Sequence, residues 1–320
     1  MNSKPGSKAP ARGAPKTYCG YITLLGAPNA GKSTLLNRMV GESLSIVTSR
    51  AQTTWRRITG IRTTDRHQSI FLDTPGVLEP RDLLHRSFLK SAEEAAGEAD
   101  VLLLIVDPTR PLNSSQRTRL LEVAGDRIIP RVGVVNKVDR GKAETVEAER
   151  VWLEEQGAVN RGIHLVSATS GLGVDRLLEA VEAELPPGPF LYPEDEIATD
   201  SVRFFVAEIV RGVIFEQFRE EIPYSSFCAV EEFREGGRRT YIHVIVYVER
   251  KSQKGILVGE GGGAIRELGT RARERIEAFL GTPVYLDLWV KILPGWRRKR
   301  QHLRALGFNL PDDDGGPAST

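Results

Sequence analysis

The chain has little cysteine, little histidine and no long apolar run. Only two of its 320 residues are cysteine, Cys19 and Cys228, and they lie far apart. Such a pair offers neither a disulfide framework nor a metal-ligand spacing, which points to a reducing, cytoplasmic compartment. The five histidines (His67, His85, His164, His243 and His302) are scattered singly, so none has a partner at ligand spacing. No apolar run approaches the ~18 residues needed to cross a bilayer. The N-terminus is rich in Pro, Gly and Lys and lacks the apolar stretch of a secretory signal. Residues 1–16 therefore read as a disordered arm, and residues 311–320, with Asp312, Asp313 and Asp314, as an acidic disordered tail.

The net charge of +2 hides a division. Residues 17–200 carry a net −5, whereas residues 201–310 carry a net +6. A basic second half suggests a polyanionic partner.

What is present is a set of four short motifs in order. Tyr21–Leu25 is a short β-forming run that enters Gly26-Ala27-Pro28-Asn29-Ala30-Gly31-Lys32-Ser33, and a helix is predicted from Lys32 to Met39. A strand, G-x-x-x-x-G-K-S and a helix make a phosphate-binding loop, whose backbone N–H groups and helix N-terminus face phosphates. Lys32 is placed to neutralise the β- and γ-phosphates and Ser33 to ligate Mg²⁺, with Asn29, Ala30, Gly31 and Thr34 completing the cradle. Asp73-Thr74-Pro75-Gly76 closes the next apolar strand. There an Asp reaches magnesium, and Gly76 can bring its N–H close to a γ-phosphate because it has no Cβ.

Asn136-Lys137-Val138-Asp139 closes a later strand, and Ser167-Ala168-Thr169 another. A carboxylate such as Asp139 can accept from N1–H and N2–H₂ of guanine. Adenine lacks both donors, so the site rejects it. Lys137 can lay its stem along the base. The four motifs together predict a GTP- and GDP-binding GTPase site. Between the first two, the aperiodic stretch Ser45–Thr54 reads as a switch loop, and one threonine there is expected to complete the Mg²⁺ shell: Thr54 is the choice, Thr53 the alternative.

Apolar β-runs alternate with helical segments from Tyr18 to Leu185, including the all-apolar Val101–Val106, helices at 82–97 and 173–185, and all four motifs at strand ends. That pattern predicts a doubly wound α/β domain over residues 17–186. The Pro-rich stretch 187–199 reads as a stiff linker. A second domain, 200–293, follows the order α-β-β-α-α-β: a helix capped near Asp200 or Ser201, strands at 226–233 and 240–248, a hairpin at Glu235-Gly236-Gly237, two helices and a strand at 284–292. The glycine turn between its last two helices, Gly259-Glu260-Gly261-Gly262, fits the G-x-x-G of a KH domain, which clamps single-stranded nucleic acid. Lys254 and Arg266 flank it, with Arg271 and Arg273 nearby. Residues 294–310 form a basic segment in which Trp296 stands beside Arg297, Arg298, Lys299 and Arg300, a pattern suited to stacking on bases and contacting phosphates.

The chain resembles the bacterial Era family of GTPases. The resemblance spans Tyr18 to Asn309 and rests on the phosphate loop, Gln52-Thr53-Thr54, Asp73-Thr74-Pro75-Gly76, Asn136-Lys137-Val138-Asp139, the run Val284–Lys291 and Pro294-Gly295-Trp296. It implies a Ras-like P-loop GTPase domain followed by an α+β type II KH domain. It also implies GTP hydrolysis coupled to assembly of the small ribosomal subunit, binding of the 3′ end of 16S rRNA, and peripheral association with the inner membrane. A monomer is expected. Two departures matter. Glu260 occupies a turn position that is usually basic or polar in the family, and its carboxylate repels phosphate. Val77 stands where Ras-like enzymes carry a water-orienting Gln, as an apolar residue does in Era relatives, which implies slow intrinsic turnover. Asn29 suggests a K⁺ ion near the phosphates, as in relatives stimulated by potassium.

Overall fold

The computed structural model describes residues 16–311 except Thr48, Ser49, Ala51 and Gln156. The expected arm and acidic tail fall outside these residues apart from Lys16 and Pro311. The N-terminal half runs β1 (Tyr18–Gly26), α1 (Lys32–Val40), β2 (Ile58–Thr63), β3 (His67–Asp73), α2 (Leu83–Glu98), β4 (Val101–Val106), α3 (Ser114–Ala124), β5 (Arg131–Val135), α4 (Ala143–Glu155), β6 (Ile163–Leu165) and α5 (Val174–Glu182). The C-terminal half runs α6 (Val202–Gln217), α7 (Ile222–Ser225), β7 (Phe227–Arg234), β8 (Thr240–Val248), α8 (Lys251–Val258), a 3₁₀ turn at Glu260–Gly262, α9 (Gly263–Leu280), β9 (Val284–Ile292) and α10 (Arg300–Ala305).

The first half is one six-stranded sheet in the order β2-β3-β1-β4-β5-β6. Only β2 is antiparallel, hairpinned onto β3. Helices cover both faces, which is why β4 is buried along its whole length and reads as unbroken Val, Leu and Ile. The second half is a three-stranded sheet, β7-β8-β9, with β7 antiparallel and β9 parallel to the central β8. Ile242, Val244, Val246 and Val248 point inward from β8 onto α6, α8 and α9. The expected α-β-β-α-α-β order holds, with β8 and β9 at the expected bounds and Ser201 as the side-chain cap of α6. The single turn α7 and the C-terminal α10 carry no periodic pattern of their own and are seen only in the structure.

The two halves are packed together. The linker is sewn to the first sheet: Gln68 accepts from the Leu191 and Tyr192 N–H groups at 2.8 and 3.0 Å, and Ile61 N–H donates to the Ile197 carbonyl at 2.8 Å. Phe205 of α6 joins the core of the first domain. A mixed aromatic cluster then spans the junction, with Trp55, Leu84 and Phe88 from the first half and Trp296, Leu303, Phe308 and Leu310 from the end of the chain.

Candidate functional site

The carboxyl ends of β1, β3, β4 and β5 converge on an open cleft of about 490 Å³. Asn29, Gly31, Lys32, Ser33, Thr34, Gly76, Lys137 and Thr169 line it, together with Thr53 and Thr54 from the switch loop. Lys32 opens α1, and its ammonium donates to the Gly26 and Ala27 carbonyls at 3.1 Å each. Burial pulls its pKa down to about 8, against the pull of Asp73. Asp73 ends β3 with no exposure, and burial pushes its carboxyl up against the opposing pull of Lys32 and its hydroxyl partners. Ser33 Oγ donates to Asp73 Oδ2 at 2.7 Å and lies 2.8 Å from Thr54 Oγ1. Thr54 and Ser45 hydroxyls reach the same oxygen at 3.3 and 3.0 Å. Asp73 Oδ1 is buried with no hydrogen-bond partner among the described residues.

That unpaired carboxylate oxygen, beside two hydroxyls, fits a magnesium ion, which takes hard oxygen ligands. Of the two threonines considered, it is the Thr54 hydroxyl that joins this group; Thr53 instead offers its carbonyl to Arg211. Gly76 is required for a different reason than its N–H alone. A Cβ there would stand 2.5 Å from the Pro28 nitrogen and 2.6 Å from its Cα, so the two loops could not close together. Val77 is buried among Leu25, Ala92 and Leu104, and its N–H donates to the Gly26 carbonyl at 3.0 Å. It presents nothing to a water molecule.

At the other end of the cleft, Asn136 is 1 % exposed and acts as a strut. Its amide donates to the Ala30 carbonyl at 2.8 Å and accepts from the Ala168 N–H at 3.0 Å, tying the phosphate loop to the Ser167-Ala168-Thr169 loop. Ser167 is buried beside it, and its Oγ accepts from Ser170 N–H at 3.3 Å. Asp139 is partly exposed, 3.6 Å from Arg140. Sequence reading missed Asp107, which directly follows β4 and grips the Lys137 ammonium at 2.6 Å while accepting from Thr109. The available signal was an acidic residue at the carboxyl end of an all-apolar strand. Thr109, Arg110 and Arg140, also missed, line the cleft.

In the second domain the glycine turn lies between α8 and α9. Gly259, Gly261 and Gly262 all have positive φ, and Gly259 packs so tightly that a Cβ would meet Ala264 at 2.7 Å. Glu260, Lys254 and Arg266 are exposed, and Arg266 donates to the Gly261 carbonyl at 3.1 Å. Arg271 and Arg273 are occupied elsewhere, bridging Glu216 at 2.6 Å and Glu277 at 3.1 Å.

The basic segment needs correction. Trp296 is fully buried, donates from Nε1 to the Ser225 carbonyl at 3.2 Å and packs 5.7 Å from Trp55 and 5.8 Å from Phe227. It cannot stack on a base, because the aromatic cluster at the domain junction takes its whole surface. Arg297 pairs with Asp82, the cap of α2, at 2.8 Å. Burial pushes the Asp82 carboxyl up, but the His85 hydrogen bonds and Arg297 outweigh it and hold the group below its ordinary value. Arg300 donates to the Pro311 carbonyl. Of the four basic residues beside Trp296, Arg298 and Lys299 stand exposed.

Comparison with known proteins agrees with this geometry. A family model described as a 50S ribosome-binding GTPase matches residues 21–137, and one for the KH domain matches residues 221–297. GTPase Era of Carboxydothermus hydrogenoformans is 40 % identical over 291 residues, 90 % of this chain and 97 % of that one. GTPase Era of Mycolicibacterium smegmatis is 37 % identical over 295 residues, 90 % and 98 % of the two chains. A crystal structure of a point variant of Aquifex aeolicus Era bound to GDP and AlF₄⁻ superposes with a TM-score of 0.87 at 35 % identity, covering 92 % of this chain and all of that one. A structure of Era with MgGDPNP and nucleotides 1506–1542 of 16S ribosomal RNA matches with the same score, identity and coverage.

Proposed function

The chain belongs to the GTPase Era family, and on that footing we propose that it is a nucleotide-gated switch: a GTPase that binds the 3′ end of 16S rRNA during assembly of the small ribosomal subunit. The observation that carries the reading is the coexistence of a built nucleotide cleft and a G-x-x-G turn in one packed unit. GTP hydrolysis is the activity of the family.

The roles follow from the chain's own atoms. Lys32 stands in the phosphate loop as the principal cation for the β- and γ-phosphates, and the loop N–H groups supply the remaining donors. Ser33, Thr54 and Asp73 would hold Mg²⁺, which neutralises charge on the same phosphates. Asp139 selects guanine, Lys137 is aimed by Asp107, and Asn136 fixes the distance between base loop and phosphate loop. Asn29 is the candidate for a K⁺ ligand, testable by comparing rates in K⁺ and Na⁺. The RNA is gripped at Gly259–Gly262 with Lys254 and Arg266 as its cations, supplemented by Arg298 and Lys299. These last two exposed cations would also carry the weak, salt-sensitive contact with anionic lipid at the inner membrane. The GTPase domain spans 17–186, the linker 187–199 and the KH domain 200–293, while 294–310 serves mainly as a domain junction through Trp296, Leu303, Phe308 and Leu310.

A second reading is favoured by Val77. A buried valine orients no water, so nucleotide could serve as a clamp with negligible turnover, leaving an RNA-binding module. One experiment separates the two: RNA binding by the chain loaded with GTP analogue, GDP or nothing, combined with single-turnover hydrolysis with and without RNA. The switch requires salt-dependent RNA binding that prefers the GTP form, with hydrolysis stimulated by RNA. Nucleotide-indifferent RNA binding removes the gating; no stimulation and a near-zero rate leaves the clamp.

A further inference from the structure

Arg211 lies on α6 of the second domain, yet it is 1 % exposed and its guanidinium reaches into the first. Nη2 donates to the Thr53 carbonyl and to Glu208 Oε2, while Nε donates to Glu208 Oε1 at 2.8 Å. The same guanidinium covers the Trp55 ring, 4.7 Å from its centroid. One side chain thus grips the residue before Thr54 and the residue after it. Thr54 is the residue whose hydroxyl meets Ser33 and Asp73. Consecutive Cα atoms are held about 3.8 Å apart, so fixing both neighbours fixes the position from which that hydroxyl projects. At the next residue of the helix, Gly212 faces Ile46 of the same loop, whose side chain lies 3.6 Å from where a Cβ would stand.

We propose that Arg211, a residue of the RNA-binding domain, is a positioning residue of the nucleotide site: it holds the Thr53–Trp55 backbone so that Thr54 stands ready for the GTP-bound state. The proposal rests on Thr54 as a magnesium ligand in that state. A buried charged donor with its acceptor removed is costly, so loop and helix move as one. Coupling between binding sites is reciprocal. Whatever α6 contributes to GTP over GDP, the γ-phosphate returns to the placement of α6 and the RNA-binding turn behind it.

The test uses the full chain in Mg²⁺ buffer with fluorescent GDP and a fluorescent non-hydrolysable GTP analogue, titrated to equilibrium. Arg211→Met keeps the bulk but loses the donors. Its preference for the GTP analogue over GDP falls roughly tenfold, the scale of one charge-assisted hydrogen bond. Arg211→Lys keeps a cation over Trp55 and one donor, and recovers part of the preference; it also serves if the Met variant does not fold. Thr54→Ala loses the same preference, and the double variant Arg211→Met/Thr54→Ala is no worse than Thr54→Ala alone. Affinities for both nucleotides that are unchanged, or weakened equally, overturn the proposal and leave Arg211 as packing. A Thr54→Ala chain that keeps its preference removes the ligand reading itself, and the proposal with it.

Discussion

In the nucleotide cleft Lys32 and Asp73 are 5 % and 0 % exposed, and the chain itself supplies their partners: two backbone carbonyls for one, three hydroxyls for the other. At the Gly259–Gly262 turn, Lys254, Glu260 and Arg266 stand in water. Both regions are assigned to phosphate, but only one has removed its charges from solvent beforehand. Buried charges act at low dielectric and are barely screened, so they give discrimination at the cost of desolvation. Exposed charges give an affinity that salt and single substitutions adjust easily. A switch needs both kinds, a nucleotide site that distinguishes one phosphate and an RNA site that can let go.

The basic segment straddles this comparison, and the largest expected effect lies there. Trp296 belongs with the buried groups, so Trp296→Ala should cost about 3–5 kcal/mol in urea unfolding, as for other buried aromatics cut to alanine. A stacking residue in water would instead cost little stability and much RNA affinity. Lys32→Met comes next. Hydrolysis should fall by about 10²–10³-fold, on the scale of losing one preorganised charge stabiliser. The nucleotide-free protein should nevertheless become more stable. Burial holds Lys32 at about 8 against an ordinary 10.5, so the unfolded chain binds more protons between those values. Wild-type stability therefore rises as pH climbs from 8 towards 10.5, and the penalty is present in full below 8. Relieving it is worth up to about 3 kcal/mol at pH 7. Unfolding curves at pH 7 and pH 10.5 that show the same gap between wild type and variant would remove this account of Lys32.

Much of the nucleotide site was legible because its chemistry is local in sequence. A phosphate loop is a contiguous strand, turn and helix, and strand-end motifs must face the same edge of the sheet. The α-β-β-α-α-β order was legible for a similar reason, since periodicity and glycine turns are short-range signals. Trp296 was misread because nothing within ten residues says whether a tryptophan beside four bases faces RNA or a neighbouring domain; that is decided by Trp55, Phe88 and Phe308, the first two distant in the chain. Arg211 was missed on the same ground. It is an ordinary charged residue until folding brings the Thr53 carbonyl to it, whereas Asp107 stands just after an all-apolar strand and carried a local signal.

Glycines sharpen the contrast at smaller cost. Gly76→Ala sets a Cβ against Pro28 backbone, which cannot swing aside as a side chain would. About 1–3 kcal/mol of stability should be lost, as in other overpacked sites, and turnover with it. At Gly261, φ is +56° but nothing lies within 4 Å of the added Cβ. Gly261→Ala should cost only the backbone preference, about 1 kcal/mol, with GTP turnover in the absence of RNA unchanged.

The smallest effect should come from Glu260, and it tests the exposed side of the comparison directly. Glu260 is exposed to water, so like-charge repulsion from RNA is screened and modest. Glu260→Lys replaces one repulsive charge by one attractive charge without touching a packed surface. Affinity for single-stranded RNA should rise by roughly 3–10-fold at low salt, and the dependence of log K on log salt should steepen by about 0.7 for each counterion released on single strands. Nucleotide affinity and unfolding midpoint should not move. An affinity gain that persists unchanged at high salt would mean that Glu260 acts by shaping the turn rather than by its charge, and the turn would then have to be counted with the built, buried kind of site.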